Sequence, residues 1–159
     1  MPAPYRALDI AKWILASVDR DAGDSITHLK LQKLVYYAQA WSLALRGKPL
    51  FDEELQAWAH GPVAESVFHE YRDFSWRAIP APEEVPEIDA DDAELVDEIV
   101  ETYGEYSAKQ LERMTHSEKP WMETRGDLPV EARSSRLIGK ELMASFYRES
   151  YDQVDGEAH

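Results

Sequence analysis

Cysteine is absent from all 159 residues. That removes a disulfide framework, a thiolate zinc site and a cysteine nucleophile, and it is compatible with a reducing compartment. Glycine is scarce, with seven residues spread along the chain, so there is no glycine-rich strand-to-helix loop to cradle a phosphate. No uninterrupted apolar stretch approaches the roughly 20 residues needed to span a bilayer. The start, Met1 to Arg6, lacks the basic-then-apolar succession of a secretory signal. Together these absences lead us to expect a cytoplasmic protein of bacterial type without a membrane partner. Positive charge is also in deficit: 17 basic against 31 acidic residues give a formal charge of -14. Such a field repels phosphate backbones, which argues against direct nucleic-acid binding, and it favours a basic partner. The deficit is concentrated, since Glu83 to Glu105 holds eleven acids and no lysine or arginine.

Groups that could run a reaction are missing too. His28, His60, His69, His116 and His159 are scattered, with none of the i, i+4 pairing of a zinc helix. Ser66 is not part of a Gly-x-Ser-x-Gly elbow. The carboxylates from Asp89 to Asp97 lack the alternating pattern and glycine of a calcium loop. The expectation is therefore a protein that is not an enzyme and needs no cofactor or metal.

Amphipathic helices and aromatic rings make up most of what is present. Leu8, Ala11, Ile14, Leu15 and Val18 share one side of a first helix, predicted to end between Asp19 and Gly23. Thr27 is a suitable N-cap for a second helix. Its apolar positions, Leu31, Leu34, Val35, Ala38, Trp41 and Leu45, form a stripe too wide for a one-sided helix. Gly47 and Pro49 should stop it. Leu55, Ala57 and Ala59 alternate with Gln56, Trp58 and His60, which permits one short hairpin or extended segment near 50–60. Pro62 reads as the first-turn residue of a short helix with Val63, Val67, Phe68 and Tyr71 inward.

Pro80, Pro82 and Pro86 impose a surface loop. Helix resumes from about Asp91 to Tyr103. Ser107 and Gln110 form a capping-box signature for another helix, running to Thr115 or His116. Pro120-Trp121 should start a short one. Ser134 or Ser135 is read as capping a last helix that buries Leu137, Ile138, Leu142, Met143, Phe146 and Tyr147. On that helix Arg133, Arg136 and Lys140 would form a basic ridge. The fold class is thus all-α, a compact single-domain helical bundle over 1–150, followed by a frayed acidic tail over 151–159.

Five tryptophans and eight tyrosines in a chain this short suggest that some rings face a partner, because such residues anchor protein interfaces. Three motifs carry a resemblance. They are Thr27-x-Leu-Lys-Leu-Gln-Lys-Leu-x-Tyr-Tyr-Ala-Gln-Ala-Trp41, Gly47-x-Pro-Leu-Phe51 and Ala57-Trp-x-His-Gly-Pro-Val63. With Tyr103-Gly104, Ser107-Ala108, Thr115-His116 and Pro120-Trp121, they make the chain resemble the Panacea-domain, SocA-like antitoxin family. The resemblance implies a mainly helical antitoxin, a cognate toxin protein as partner, and neutralisation by direct binding. It further implies a proteolytic-adaptor role in which bound toxin is delivered to ClpX and the ClpXP protease. For the protein-binding site it points to Tyr36, Tyr37 and Trp41, provided their side chains face outward. Trp58, His60 and Trp121 would brace that surface or join it. The alternative reading is an acidic nucleic-acid mimic that inhibits a DNA-binding protein through Glu83 to Glu105.

Overall fold

In the computed structural model, residues 3–19 and 25–157 are described, with side chains as far as 153. Seven helices lie in the order α1 (Ala7–Ala16), α2 (His28–Arg46), α3 (Glu65–Tyr71), α4 (Ala90–Tyr103), α5 (Ala108–His116), α6 (Lys119–Arg125) and α7 (Lys140–Glu157). Strands β1 (Leu55–Trp58) and β2 (Gly61–Ala64) intervene between α2 and α3, and β3 (Leu137–Ile138) precedes α7. The protein is mainly α.

Helix α2 is the axle. The Thr27 hydroxyl accepts the Lys30 N–H at its start. At its end Gly47 takes φ 66°, ψ 18° and donates its N–H to the Leu43 carbonyl, a left-handed stop that favours glycine. Burial runs almost all round α2, because α1, α4, α5, α7 and β2 all pack on it. Being enclosed, α2 must satisfy its polar side chains locally. The Gln32 amide accepts from the Ala64 N–H at 3.0 Å. Gln39 accepts from the Leu50 N–H at 2.7 Å and donates to the Phe51 carbonyl at 2.8 Å. One turn pair apart, these two glutamines fasten the α2–β1 connection and the end of β2 to the central helix.

Other helix signals also hold. The capping box is complete, with Gln110 N–H to Ser107 Oγ at 3.1 Å and Ser107 N–H to Gln110 Oε1 at 2.7 Å. Pro120 sits in the first turn of α6. On α4, Leu95, Val96 and Ile99 face the core and Val100 is half-buried.

Several expectations change. Helix α1 ends at Ala16, so Val18 packs on the core from outside it; Gly23, the far limit of the expected end, lies outside the described residues. The segment from Gly61 is strand, not helix. Antiparallel pairing sets Ala57 against Pro62 and Trp58 against Gly61, leaving Ala59 and His60 as the turn. Pro62 is tolerated because β2 is an edge in the order β2-β1-β3, where a missing N–H breaks no ladder.

The third strand extends the expected hairpin into a sheet. Leu137 and Ile138 pair with Gln56 and Leu55, so the last helix starts at Lys140 rather than near Ser134. Ile138, Met143 and Tyr147 are buried, Leu142 and Phe146 are half-buried and Leu137 is exposed. The basic ridge is dissolved with the helix that would have carried it. Arg136 donates to the Arg125 carbonyl and Lys140 pairs with Glu54. Helix α7 continues past Tyr151 to Glu157.

A tight turn follows α3. Ser75 has φ 52°, ψ -116°, the values of the first central residue of a type II′ turn, a position that favours glycine. The Arg77 N–H closes it onto the Phe74 carbonyl at 2.8 Å. Ser75→Gly is expected to stabilise the fold by about 1 kcal/mol by relieving this backbone strain, read as a higher urea midpoint at constant slope.

Candidate partner-binding site

The α2 aromatics form a polar network rather than an exposed row. Tyr36 and Tyr37 are buried. The Tyr37 ring stacks on Tyr103 at 4.0 Å, and its hydroxyl donates to Glu118 Oε1 at 2.7 Å. The Tyr147 hydroxyl reaches the same oxygen at 2.9 Å and shares a 2.9 Å hydrogen bond with the Tyr36 hydroxyl. Burial raises the Glu118 pKa above the ordinary carboxylate range, and the two tyrosine hydroxyls partly offset this. Burial likewise pushes the Tyr103 phenol up to about 12. Tyr36 and Tyr37 therefore brace α2 against α4, α7 and the start of α6 from inside.

Trp41 is different. Its indole N–H donates to the Tyr103 hydroxyl at 2.8 Å, while the ring is half-buried. It forms one wall of a groove of about 190 Å³ between α2, α4 and α7, completed by Leu45, Leu95, Glu98, Ile99 and Tyr151. That volume is below the usual range for small-molecule pockets and suits an inserted protein side chain. Leu45 and Tyr151 line it with 36% and 45% of their surface exposed. On α4, Glu98 lines the groove, and Glu94, Glu98 and Glu101 are all exposed and have no ion-pair partner among the described residues. By contrast Asp92 and Asp97 of the same helix are engaged, by Arg46 and Tyr5 and by the Trp13 indole respectively. The acidic block thus splits into anchoring and free carboxylates.

The remaining candidates gather at the sheet. Trp121 is buried, donates its indole N–H to the Trp58 carbonyl at 2.8 Å, and stacks on His116 at 3.9 Å. Trp58 is half-buried, edge-on to Phe68 at 4.8 Å. His60 stands at the hairpin tip, its imidazole 72% exposed and 3.7 Å from Glu112. Among the described residues its imidazole bonds to no backbone group. The structure thus separates the six candidates into two places: Tyr36, Tyr37 and Trp41 at the α2–α7 seam, Trp58, His60 and Trp121 at the sheet.

Three residues that the sequence did not single out as part of a site matter here. Lys33 is buried against Gly61, where a Cβ would stand 3.1 Å from its Cε and where φ is 125°. Burial lowers its pKa to about 8. His116 Nε2 is buried without a hydrogen-bond partner among the described residues, and its pKa is lowered by burial. Arg125 is buried under Trp121. Nothing in the residue order marked Lys33, which stands beside Gln32 and three residues after the equally charged Lys30. Among the described residues no three histidine, aspartate or glutamate side chains converge as metal ligands would.

A family model for the Antitoxin SocA-like, Panacea domain matches residues 31–122, more than half of the chain. The protein belongs to the SocA-like Panacea-domain family. It is 34% identical over 114 residues to Antitoxin SocA of Caulobacter vibrioides (strain NA1000 / CB15N), a stretch covering 60% of this chain and 58% of that protein. The alignment therefore spans less than two thirds of that relative's length. No solved structure matches. The Panacea match runs from Leu31 in the first turn of α2 to Met122, taking in every candidate residue and the α2 and α4 walls of the groove. No helix of the described residues is long and apolar enough to cross a membrane.

Proposed function

We propose that this protein is the antitoxin of a toxin–antitoxin pair. It binds its cognate toxin protein directly, holds it inactive, and acts as a proteolytic adaptor that hands the toxin to the ClpXP protease in the cytoplasm. It works by binding, not by catalysis. Family membership supports the antitoxin role. The observation carrying the binding reading is the Trp41 groove, an apolar trough lined by the free carboxylate of Glu98. A helix or loop bearing apolar anchors and lysine or arginine complements it. Tyr36, Tyr37 and Tyr147 hold the groove walls apart at fixed spacing, and Trp121 with Trp58 secures the sheet behind them.

The test uses the purified product of the neighbouring gene. Leu45→Lys and Glu98→Lys alter exposed groove positions and should each weaken its binding by about tenfold or more, measured by calorimetry, with circular dichroism unchanged. Wild-type affinity in both variants would remove the groove from the interface. Equal toxicity with and without the protein in cells would sink the antitoxin role itself. For delivery, the toxin's half-life with purified ClpXP should shorten when this chain is added. Identical half-lives would reduce the role to plain neutralisation.

One observation favours the nucleic-acid-mimic reading: Glu94, Glu98 and Glu101 recur at spacings of four and three on one helix face. Under that reading Leu45→Lys would be silent, while charge reversal along α4 would abolish binding to a DNA-binding protein.

A further inference from the structure

Trp76 is the most exposed large apolar residue among those described, with 82% of its surface open. It is not on a loose segment. Ser75 before it holds the left-handed turn geometry, and the Arg77 N–H closes that turn onto Phe74. The Arg77 guanidinium donates to the Asp73 carbonyl at 2.9 Å and the Phe74 carbonyl at 3.3 Å, and lies 5.8 Å from the Phe74 ring centroid. Phe74 itself packs on the core, and two residues beyond Arg77 the Ile79 N–H is tied to the Ile26 carbonyl at 2.9 Å. The turn is a fixed knuckle that projects an indole flanked by Arg72 and Arg77. Neither arginine has a carboxylate partner among the described residues. A rigid aromatic beside arginine is the composition of an interface anchor, and its ordering cost is already met by the fold.

The matching socket is on the same chain. The groove beside Trp41 is apolar, is sized for a single side chain, and is lined by Glu98, which has no ion-pair partner among the described residues; Glu94 and Glu101 are exposed four and three residues from it on α4. The two halves cannot meet within one molecule. The knuckle sits at the N-terminal end of α2, beside Ile26 and near His28, which packs on Phe68. The groove is at Trp41 and Leu45. Thirteen residues of helix separate His28 from Trp41, about 20 Å along the axis.

We infer that the knuckle docks into the groove of a second copy, Trp76 entering between Trp41 and Ile99 while Arg72 and Arg77 meet the α4 carboxylates. The contact is heterologous, so each copy offers one knuckle and one groove and association continues beyond two. It is small, and two chains of charge -14 repel one another. The association is therefore weak and is seen best near 0.15 M salt, where the Debye length of about 8 Å screens the overall repulsion more than the close ion pairs.

This inference goes beyond the antitoxin reading and needs no toxin to test. Sedimentation equilibrium on the purified chain, from about 10 µM to about 1 mM, should show a weight-average mass that climbs above one chain. Trp76→Ala and Glu98→Arg change exposed positions, and each alone should remain monomeric with unchanged circular dichroism. An equimolar mixture of the two restores one intact groove and one intact knuckle, so it should form 1:1 pairs and stop there. A wild-type chain that stays monomeric throughout overturns the proposal. So does a Trp76→Ala chain that associates like wild type, or a mixture that fails to pair.

Discussion

Arg125→Ala is expected to destabilise the protein by about 3–5 kcal/mol, the scale for stranding buried polar partners. The guanidinium is buried at the junction of α6, β1 and the loop leading to β3. Its Nη1 donates to the Ala57 carbonyl at 3.0 Å. Its Nη2 donates to the carbonyls of Pro129 and Ala132 at 2.8 Å and of Val130 at 3.2 Å. The same group lies 5.0 Å from the Trp121 ring centroid. Removing it leaves several inward carbonyls without a donor and a void beneath the indole. The loop it gathers carries Arg136, whose carbonyl accepts the Ala57 N–H at 2.9 Å, so β3 should loosen as well. Lysine cannot replace the planar fork, and Arg125→Lys should recover less than half of the loss. Urea denaturation followed by circular dichroism measures both. A loss under about 1 kcal/mol for the alanine variant would show that the carbonyls find other donors and that the junction does not depend on Arg125.

The second large effect has the opposite sign. Lys33→Met is expected to raise stability at pH 7 by about 1–3 kcal/mol. Desolvation lowers the Lys33 pKa from 10.5 to about 8, with the Glu112 carboxylate opposing the fall. Between those two pH values the unfolded chain binds more protons than the folded chain. Wild-type stability should therefore rise as pH increases from about 8 to 10.5, and at neutral pH the fold bears the charge in full. The fall in pKa corresponds to about 3 kcal/mol at most. Methionine keeps an unbranched stem against Gly61 without the ammonium, so both the penalty and its alkaline relief should vanish. Denaturation midpoints at pH 7 and pH 10 decide it. A Lys33→Met chain weaker than wild type at pH 7 would show that the ammonium stabilises the hairpin instead of burdening it.

Local signals were readable where their cause is local. Thr27, Gly47, Ser107 with Gln110, and Pro120 all act through backbone groups within four residues, and the helix ends they imply are where the structure has them. Gly61-Pro62 misled for the same reason. Proline opening a helix and proline in an edge strand share the same fixed φ, and the ψ that separates them is set by the partner strand. Ser134 and Ser135 were plausible caps, yet pairing of Leu137 and Ile138 with β1 claimed the residues that followed. Tyr36 and Tyr37 show the limit for the site. A binding role for them required outward-facing side chains, but Glu118 and Tyr147, more than 80 residues later, give the Tyr37 and Tyr36 hydroxyls buried partners.

From residue order alone came the helical class, the central place of the segment after Thr27, the acidic field and the Panacea kinship, because propensity, capping, charge and motif spacing are written along the chain. Which aromatic rings reach solvent was settled only by folding. Trp41 and Trp121 look alike as sequence, yet one walls an open groove and the other is buried over Arg125, since burial depends on which distant elements close over a ring. The division of the acids on α4, Asp92 and Asp97 anchored and Glu98 left free, has the same origin: a carboxylate finds its partner across space, not along the chain.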